Sequence, residues 1–342
     1  MKHRTSISGT FLIVLLLIAT SAAVFAAGED LRICAPGEDF LIIGHMGAPL
    51  HAVENTLDGF KKALDLGANA IETDLSLTKD GEVVIWHDWS PNSTVALVRQ
   101  AGKQGLLARP FNPNIGNSMR RPVPELTLAQ LREHFGYTWR TERSGTSLKL
   151  SARIPTIEEF CSWMAGEDRL KRVFFDIKIP DGKTEFVKPL ITRVAKAIRE
   201  RGLEQRVILM SPYHTILSEI APLAAESNLP LLHDQELPGV VIVNWKKFST
   251  VAGAIELKLG WGAVGRPVAT LNGYSIYKKI LQYDMKLARI HNFNKGEPPI
   301  EGVIAWTLDK PGEMREVIRL GVKGIMTNRP DLLQEIVSSW KE

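Results

Sequence analysis

The chain has 342 residues, of which 44% are hydrophobic, and a formal net charge of +4 at neutral pH. This composition is typical of a globular protein and excludes an intrinsically disordered chain. The sequence has no run of basic residues interleaved with aromatic residues, which argues against a nucleic-acid-binding surface. The sequence contains two cysteines, Cys34 and Cys161, so a cysteine zinc site is excluded as well.

The first 26 residues have the three parts of a secretory leader. A basic start at Lys2 to Arg4 precedes an apolar run at residues 11–19, and Val24-Phe25-Ala26 fits a signal-peptidase site. The apolar run is short for a membrane span, although an uncleaved anchor is the alternative. We therefore expect a signal peptide over residues 1–26, cleavage near Ala26, and a periplasmic or secreted protein. An oxidising compartment would also permit a disulfide between the two cysteines.

A strand, a helix and a second strand follow in quick succession. The apolar residues 39–44 predict a buried strand that carries His45 at its C-terminal end. Asn55 or Thr56 is a good helix N-cap, and apolar residues then recur at helical spacing up to Gly67. The next predicted strand, Ala70 to Leu77, begins at once. This is a βαβ unit, in which the two strands are parallel.

The second strand carries two acidic residues on one face. Glu72 and Asp74 are two residues apart, so their side chains point the same way. A divalent cation with oxygen ligands is the simplest partner for two such carboxylates, and a solvated polar face is the alternative. A Lys-Asp-Gly turn and a third strand, Glu82 to His87, then place a histidine near this pair.

Residues 89–153 are rich in Pro, Gly and Asn, which indicates an insertion with partial structure of its own that overhangs the site. Regular structure returns with a capped helix after Ile154 and a strand from Arg172 to Ile179. That strand adds Asp176 and Lys178 to the polar set, with an internal ion pair as the alternative interpretation.

The rest of the chain alternates between predicted helices and strands. We expect a helix over Thr184 to Arg201, kinked at Pro189, and further elements at Arg206 to Ser211 (strand), Val240 to Asn244 (strand), Ala254 to Leu259 (strand), Tyr274 to Lys286 (helix), Gly302 to Thr307 (strand), Pro311 to Leu320 (helix), Gly324 to Thr327 (strand) and Pro330 to Trp340 (helix). Such alternation favours an α/β protein with a (β/α)₈ TIM-like barrel over residues 38–342 and an insertion after the third strand. An open doubly wound sheet is disfavoured, because no glycine-rich dinucleotide motif follows the first strand.

Several short motifs together resemble the glycerophosphodiester phosphodiesterase superfamily. They are His45-x-Gly47, Glu54-Asn55-Thr56, Glu72-x-Asp74, Lys79-Asp80-Gly81, His87-Asp88 and residues 324–331 (GIMTNRPD). The resemblance implies a TIM-like barrel and one divalent cation, Mg²⁺ or Ca²⁺, held by Glu72, Asp74 and Asp176. It also implies that His45 and His87 form an acid–base pair that cleaves a phosphodiester, and that Lys178 and Trp306 bind substrate.

The motifs depart from the family pattern at three positions. Met46 and Val53 replace the usual arginine and proline, and Asp176 stands where many relatives have glutamate. Some of these departures resemble the sphingomyelinase D and phospholipase D toxin branch, as do residues 67–74, 174–178 and 306–310. We expect glycerophosphodiesters or lysophospholipids as substrates in preference to sphingomyelin, together with contact with a membrane surface. A non-catalytic phosphodiester-binding protein is the remaining alternative.

Overall fold

The computed structural model describes residues 35–140, 149–235, 245–266 and 273–340. The expected signal peptide, Cys34 and the strand predicted at Val240 to Asn244 lie outside these ranges. Cys161 is buried on a helix. Because Cys34 lies outside the described residues, the pairing of the two cysteines stays a prediction. Among the described residues, no helix has both the length and the apolar character needed to cross a bilayer.

Eight parallel strands close into a barrel, which confirms the predicted fold class. In the order in which they pair, they are β1 (Leu41–His45), β11 (Gly324–Thr327), β10 (Gly302–Trp306), β9 (Trp261–Gly265), β8 (Leu231–Gln235), β7 (Val207–Ser211), β6 (Arg172–Ile177) and β2 (Ala70–Leu77). Pairing of β1 with β2 closes the ring, with His45 opposite Glu72 in the register. All eight strands therefore present their carboxyl ends at one mouth of the barrel, where this fold builds its active sites.

The described helices cover the outside of the barrel or lie in the insertion. They are α1 (Leu57–Asp65), α2 (Thr94–Gln100), α3 (Leu128–His134), α4 (Ile157–Ala165), α5 (Val187–Arg199), α6 (His214–Glu226), α7 (Thr250–Glu256), α8 (Gly273–Phe293), α9 (Pro311–Arg319) and α10 (Pro330–Ser338). Thr56 caps α1, and Thr156 begins α4 with a full capping box. These caps satisfy backbone N–H groups that have no partner within the helix.

Two apolar layers follow from the alternation of side chains along each strand. Inward-facing residues such as Ile43, Phe174 and Ile304 fill the barrel, while outward-facing residues pack against the helices. Because strands buried on both faces leave little room for polar groups, the charged side chains of the barrel concentrate near the strand ends.

The third strand of the chain, β3 (Val83–Ile85), is antiparallel to β2 and is not a barrel strand. The segment after it contains α2, α3 and a two-stranded sheet of β4 (Ala108–Phe111) and β5 (Gly136–Trp139). Its own apolar cluster includes Trp86, Phe135 and Tyr137. The insertion thus lies between the second and third barrel strands and joins the barrel through β3.

The sequence prediction was wrong at two places in the second half of the chain. The strand predicted at Ala254 to Leu259 is instead the last turn of helix α7 and the turn that follows it. Ser249 caps a short apolar run that a helix buries as well as a strand does. Pro189 does not interrupt α5, since it lies in the first turn, where a missing N–H costs nothing. Strands β8 and β9 were not predicted.

His233 on β8 is a buried titratable group outside the carboxylate-rich mouth. Its ring lies 5.9 Å from that of His214 and packs against Gly253, where an added Cβ would lie 2.4 Å from Nε2. Burial and the nearby His214 lower the pKa of His233 to about 4. The folded protein therefore favours the neutral His233 ring. At a pH between about 4 and 6.5, this histidine binds a proton in the unfolded chain but not in the folded protein.

We predict that this histidine makes the protein less stable in acid. Its stabilising effect is complete above the unfolded pKa, near 6.5, and is lost as pH falls towards 4. Between pH 7 and pH 4.5, the wild type should lose about 2–3 kcal/mol more unfolding free energy than His233→Asn. Urea unfolding of both proteins at the two pH values measures this, and equal losses would contradict the prediction.

Candidate active site

Three carboxylates meet at the mouth of the barrel. Glu72 and Asp74 lie on β2 and Asp176 on the neighbouring strand β6, where the parallel register sets Asp74 beside Asp176. One oxygen from each residue lies within 4.8 Å of one from each of the others. All three side chains are buried, at 6% exposure or less. Such crowding of like charges is unfavourable unless positive charge compensates it.

Lys178 supplies part of that compensation. Its Nζ lies 3.0 Å from Asp74 Oδ1 and also pairs with Asp176 Oδ2. Burial alone would raise the pKa of Asp74, but the Lys178 ammonium, a hydrogen bond from Asn55 and further positive charges nearby together outweigh burial and hold that pKa well below its ordinary value. Burial would lower the pKa of Lys178, but the charges of Asp176, Asp74 and Glu72 and the contact with Asp176 together outweigh burial and raise that pKa. The lysine is therefore a fixed positive charge.

Glu72 is left with less compensation than the other two. Burial and the charge of Asp74 raise its pKa well above the ordinary value. One oxygen, Oε2, accepts a hydrogen bond from the Met46 backbone N–H at 2.9 Å. Met46 and Gly47 both have positive φ, and a Cβ on Gly47 would lie 2.8 Å from the backbone of Gly59. This tight turn after β1 therefore delivers a backbone donor to the carboxylate.

His45 stands at the end of β1 and is oriented by the far end of the chain. Its Nδ1 lies 2.9 Å from Asn328 Oδ1, and the Asn328 amide donates to Asp309 Oδ2 at 2.7 Å. Because that second bond fixes which end of the amide is the acceptor, Nδ1 of His45 carries the proton. Nε2 then faces Glu72, 3.9 Å from Oε2, and burial lowers the pKa of His45.

His87 reaches the site from β3, outside the barrel. The backbone N–H of Trp86 donates to the Asp74 carbonyl at 3.0 Å and holds this segment beside β2. Nδ1 of His87 lies 2.7 Å from Oδ1 of the buried Asp88. Like His45, His87 has a polar partner on Nδ1, so that its Nε2 is free to contact a bound molecule.

Asn55 links the helix-capping loop to the carboxylates. Its Nδ2 donates to Asp74 Oδ2 at 2.6 Å, and its Oδ1 accepts from the Thr73 hydroxyl at 2.8 Å. The residue is fully buried with a φ of 53°, a conformation that asparagine tolerates better than most residues. The sequence pattern suggested Asn55 or Thr56 as the helix cap; Thr56 is the cap, and Asn55 orients Asp74.

Trp306 lies on β10, at the other side of the mouth, and connects to the carboxylates indirectly. Its indole N–H donates to Asp234 Oδ1 at 2.6 Å. Burial and the charge of Asp176 raise the pKa of Asp234. Asp234 was missed by the sequence analysis, because it lies on a strand that the irregular pattern between residues 230 and 297 did not reveal.

The predicted residues thus come together to different degrees. Glu72, Asp74, Asp176 and Lys178 form one contact cluster with His45 at its edge, His87 lies beside β2, and Trp306 is more remote. Asn328 and Asp309 were also missed as contributors to the site. Both lie inside motifs that the sequence analysis noted, but nothing local indicates that they orient a histidine more than 260 positions away.

The carboxylate cluster suits a divalent cation such as Mg²⁺ or Ca²⁺. All three side chains offer hard oxygen donors, which these ions prefer. The Oδ1 atom of Asp176 is buried and has no hydrogen-bond partner among the described residues. A buried carboxylate oxygen without a hydrogen-bond partner, beside two further carboxylates, fits the role of a metal ligand.

The fold and the comparisons with known proteins define the chain as a phosphoric diester hydrolase. It belongs to the glycerophosphoryl diester phosphodiesterase family, whose model matches residues 45–241, more than half of the chain. A second model, Dermonecrotic toxin SPH, matches residues 273–341. The resemblance inferred from the motifs is confirmed, including its similarity to the toxin branch.

Relatives with the same family name match along almost their whole length. A glycerophosphodiester phosphodiesterase of Caldanaerobacter subterraneus is 26% identical over 302 residues, covering 87% of this chain and 97% of the relative. One from Bacillus subtilis is 21% identical and covers 98% of both chains.

Solved structures share the fold. A glycerophosphodiester phosphodiesterase from Parabacteroides distasonis superimposes with a TM-score of 0.58 at 18% identity, over 87% of this chain and 96% of that one. An Oleispira antarctica phosphodiesterase, solved in complex with the product sn-glycerol-3-phosphate, gives 0.56 at 16% identity, over the same shares.

Proposed function

We propose that the protein is a metal-dependent hydrolase of glycerophosphodiesters that releases an alcohol and a glycerol phosphate. The observation that carries this proposal is the buried cluster of Glu72, Asp74 and Asp176 beside Lys178. The names of the full-length relatives support the substrate class. The product bound to the Oleispira enzyme is consistent with it.

In this proposal the three carboxylates hold one divalent cation, either Mg²⁺ or Ca²⁺. When bound, the ion supplies positive charge to offset the charge that builds up on the phosphoryl oxygens. Lys178 adds a second positive charge at the same place, fixed by its two aspartate partners. Since Met46 replaces the usual arginine, these groups provide the phosphate contacts, and Trp306 contributes an apolar wall for the substrate.

His45 and His87 provide the proton transfers. One takes a proton from the attacking hydroxyl, and the other gives one to the leaving alcohol. Each ring has a polar partner on Nδ1, Asn328 for His45 and Asp88 for His87, which directs Nε2 towards the reacting groups. If water attacks, the phosphomonoester forms directly, and if a neighbouring glycerol hydroxyl attacks, a cyclic phosphate forms first.

A lipid substrate is favoured by one surface feature. Helix α2 of the insertion exposes Val95, Leu97 and Val98, at 52%, 46% and 45% of their surface. The same helix carries Arg99, whose side chain pairs with Asp88 beside His87. Exposed apolar side chains so close to the site would let the enzyme rest on a membrane and accept lysophospholipids. Sphingomyelin, the substrate of the toxin-like alternative, would approach in the same way.

We infer further that the protein is exported, as the basic and apolar parts of residues 1–26 indicate. N-terminal sequencing of the protein from its native host should give a mature start near Ala27. An intact Met1 on protein recovered from the cytosol would contradict export.

Phosphorus NMR tests the reaction and its metal requirement together. We predict turnover of glycerophosphocholine and lysophosphatidylcholine, loss of turnover after treatment with chelator, and recovery on adding Mg²⁺ or Ca²⁺. Sphingomyelin is the third substrate arm, and preferential cleavage there would support the toxin-like alternative. Full turnover in chelator would rule out the metal, while binding without any cleavage would identify a non-catalytic phosphodiester-binding protein.

We predict that His45→Asn and His87→Asn each reduce turnover by roughly 10²–10⁴, because asparagine can hydrogen bond but cannot transfer a proton. Folding should be retained, as thermal melting can show. His134→Asn is the matched control, since His134 pairs only weakly with Glu133 on the insertion, at 3.8 Å.

A structural role for the two histidines would give the opposite result. Their loss would then lower stability by about 1–3 kcal/mol while the folded fraction kept its activity. Near-normal turnover in both variants would overturn the acid–base assignment.

A further inference from the structure

Arg99 is a buried arginine contributed by the insertion. It lies in the last turn of α2 and is 2% exposed. Arginine is almost never buried to this extent unless its charge is paired. The partners of Arg99 therefore indicate its role.

The guanidinium of Arg99 is held from several sides. One terminal nitrogen, Nη2, pairs with Glu54 Oε1, and Nε lies 2.9 Å from Asp88 Oδ1. The other terminal nitrogen, Nη1, donates to Gln104 Oε1 at 3.2 Å and lies 3.7 Å from Met46 Sδ. Each nitrogen thus has a polar neighbour, and the side chain has little freedom to turn.

The contact with Asp88 leads directly to His87. The same carboxylate oxygen, Oδ1, lies 2.9 Å from Arg99 Nε and 2.7 Å from His87 Nδ1. Asp88 is 4% exposed, and its backbone carbonyl accepts from the Trp86 indole at 3.1 Å. Burial would raise the pKa of Asp88, but the Arg99 charge and the hydrogen bond with His87 together outweigh burial and keep the pKa low. The carboxylate therefore remains ionised where it meets the imidazole.

We propose that Arg99 is a positioning residue for His87 and acts through the carboxylate of Asp88. By holding Asp88 in place, Arg99 fixes the proton on His87 Nδ1 and directs Nε2 towards the substrate. The inference rests on the proposed role of His87 in proton transfer. It gives the insertion a part in catalysis, because α2 must be in place for the histidine to be aligned.

The surroundings of Met46 explain why this cation comes from the insertion. The thioether touches the guanidinium, at the sequence position where the family motif has an arginine. A second guanidinium extending from position 46 would compete with Arg99 for the same space beside Glu54. In this chain the short apolar side chain leaves that space to Arg99.

Two variants and a control test the proposal. In Arg99→Met both ion pairs are lost, and kcat should fall by about 10–100-fold, as for other residues that orient a functional histidine. In Arg99→Lys the charge remains, but a single ammonium cannot engage both carboxylates as a fork does, so a smaller fall in kcat is expected. KM should stay within about twofold in both, because Arg99 supports proton transfer and not substrate binding.

The matched control is Arg193→Met. Arg193 on α5 also pairs with two carboxylates, those of Glu82 at 2.6 Å and Glu158 at 2.5 Å, on the outer layer of the barrel. Its loss also removes two ion pairs, although these are partly exposed and lie away from the site, and kcat should be unchanged. If Arg99→Met does not fold, the charge-retaining Arg99→Lys decides the result.

A spectroscopic readout separates this proposal from the proposed function. With ¹⁵N-labelled histidine, wild-type His87 should show the proton on Nδ1, and the Arg99 variants should show a mixture of the two ring tautomers. Folded variants with wild-type ring signals and kcat within twofold would overturn the role of Arg99. Normal turnover in His87→Asn would instead overturn the acid–base mechanism, whatever the Arg99 variants do.

Discussion

The site depends on the crowding of three buried carboxylates within 4.8 Å of one another. Lys178 cancels only part of their charge, through Asp74 and Asp176, and Glu72 is left to take up a proton more readily than an ordinary glutamate. Because buried like charges repel, such an arrangement makes the free energy of folding less favourable. A cation bound by the three carboxylates would offset this repulsion. The closed barrel tolerates the cost because its apolar layers hold β2 and β6 in register.

Around this cluster, parts from distant regions of the chain define where the histidines point. The β11 loop orients His45 through Asn328, and the insertion reaches Asp88, the partner of His87, through Arg99. Both arrangements follow one principle, in which a second polar group holds Nδ1 and leaves Nε2 free for the proposed proton transfer. The barrel strands therefore carry the charged carboxylates and Lys178, while the loops and the insertion orient the two histidines.

The sequence predicted the parts of this site that local spacing controls. The two-residue separation of Glu72 and Asp74, repeated at Asp176 and Lys178, places side chains on one face of a strand, and the structure brings them together. Arg99 and Asp234 could not be predicted in the same way. Arg99 lies on a short helix that packs against β4, and its partners Glu54 and Asp88 come from other parts of the chain. Asp234 lies on a strand within an irregular stretch. Short apolar runs also do not distinguish helix from strand, as α7 shows.

We infer that Glu72, Asp74 and Asp176 together bind one divalent cation. A crystal grown with Mn²⁺ and sn-glycerol-3-phosphate tests it most directly, through the anomalous signal of the metal. We predict a single strong peak about 2.0–2.6 Å from an oxygen of each carboxylate, with the phosphate between the peak and Lys178. Crystals that contain Mn²⁺ but give no peak at these residues, with Lys178 still bridging the two aspartates, would contradict the account.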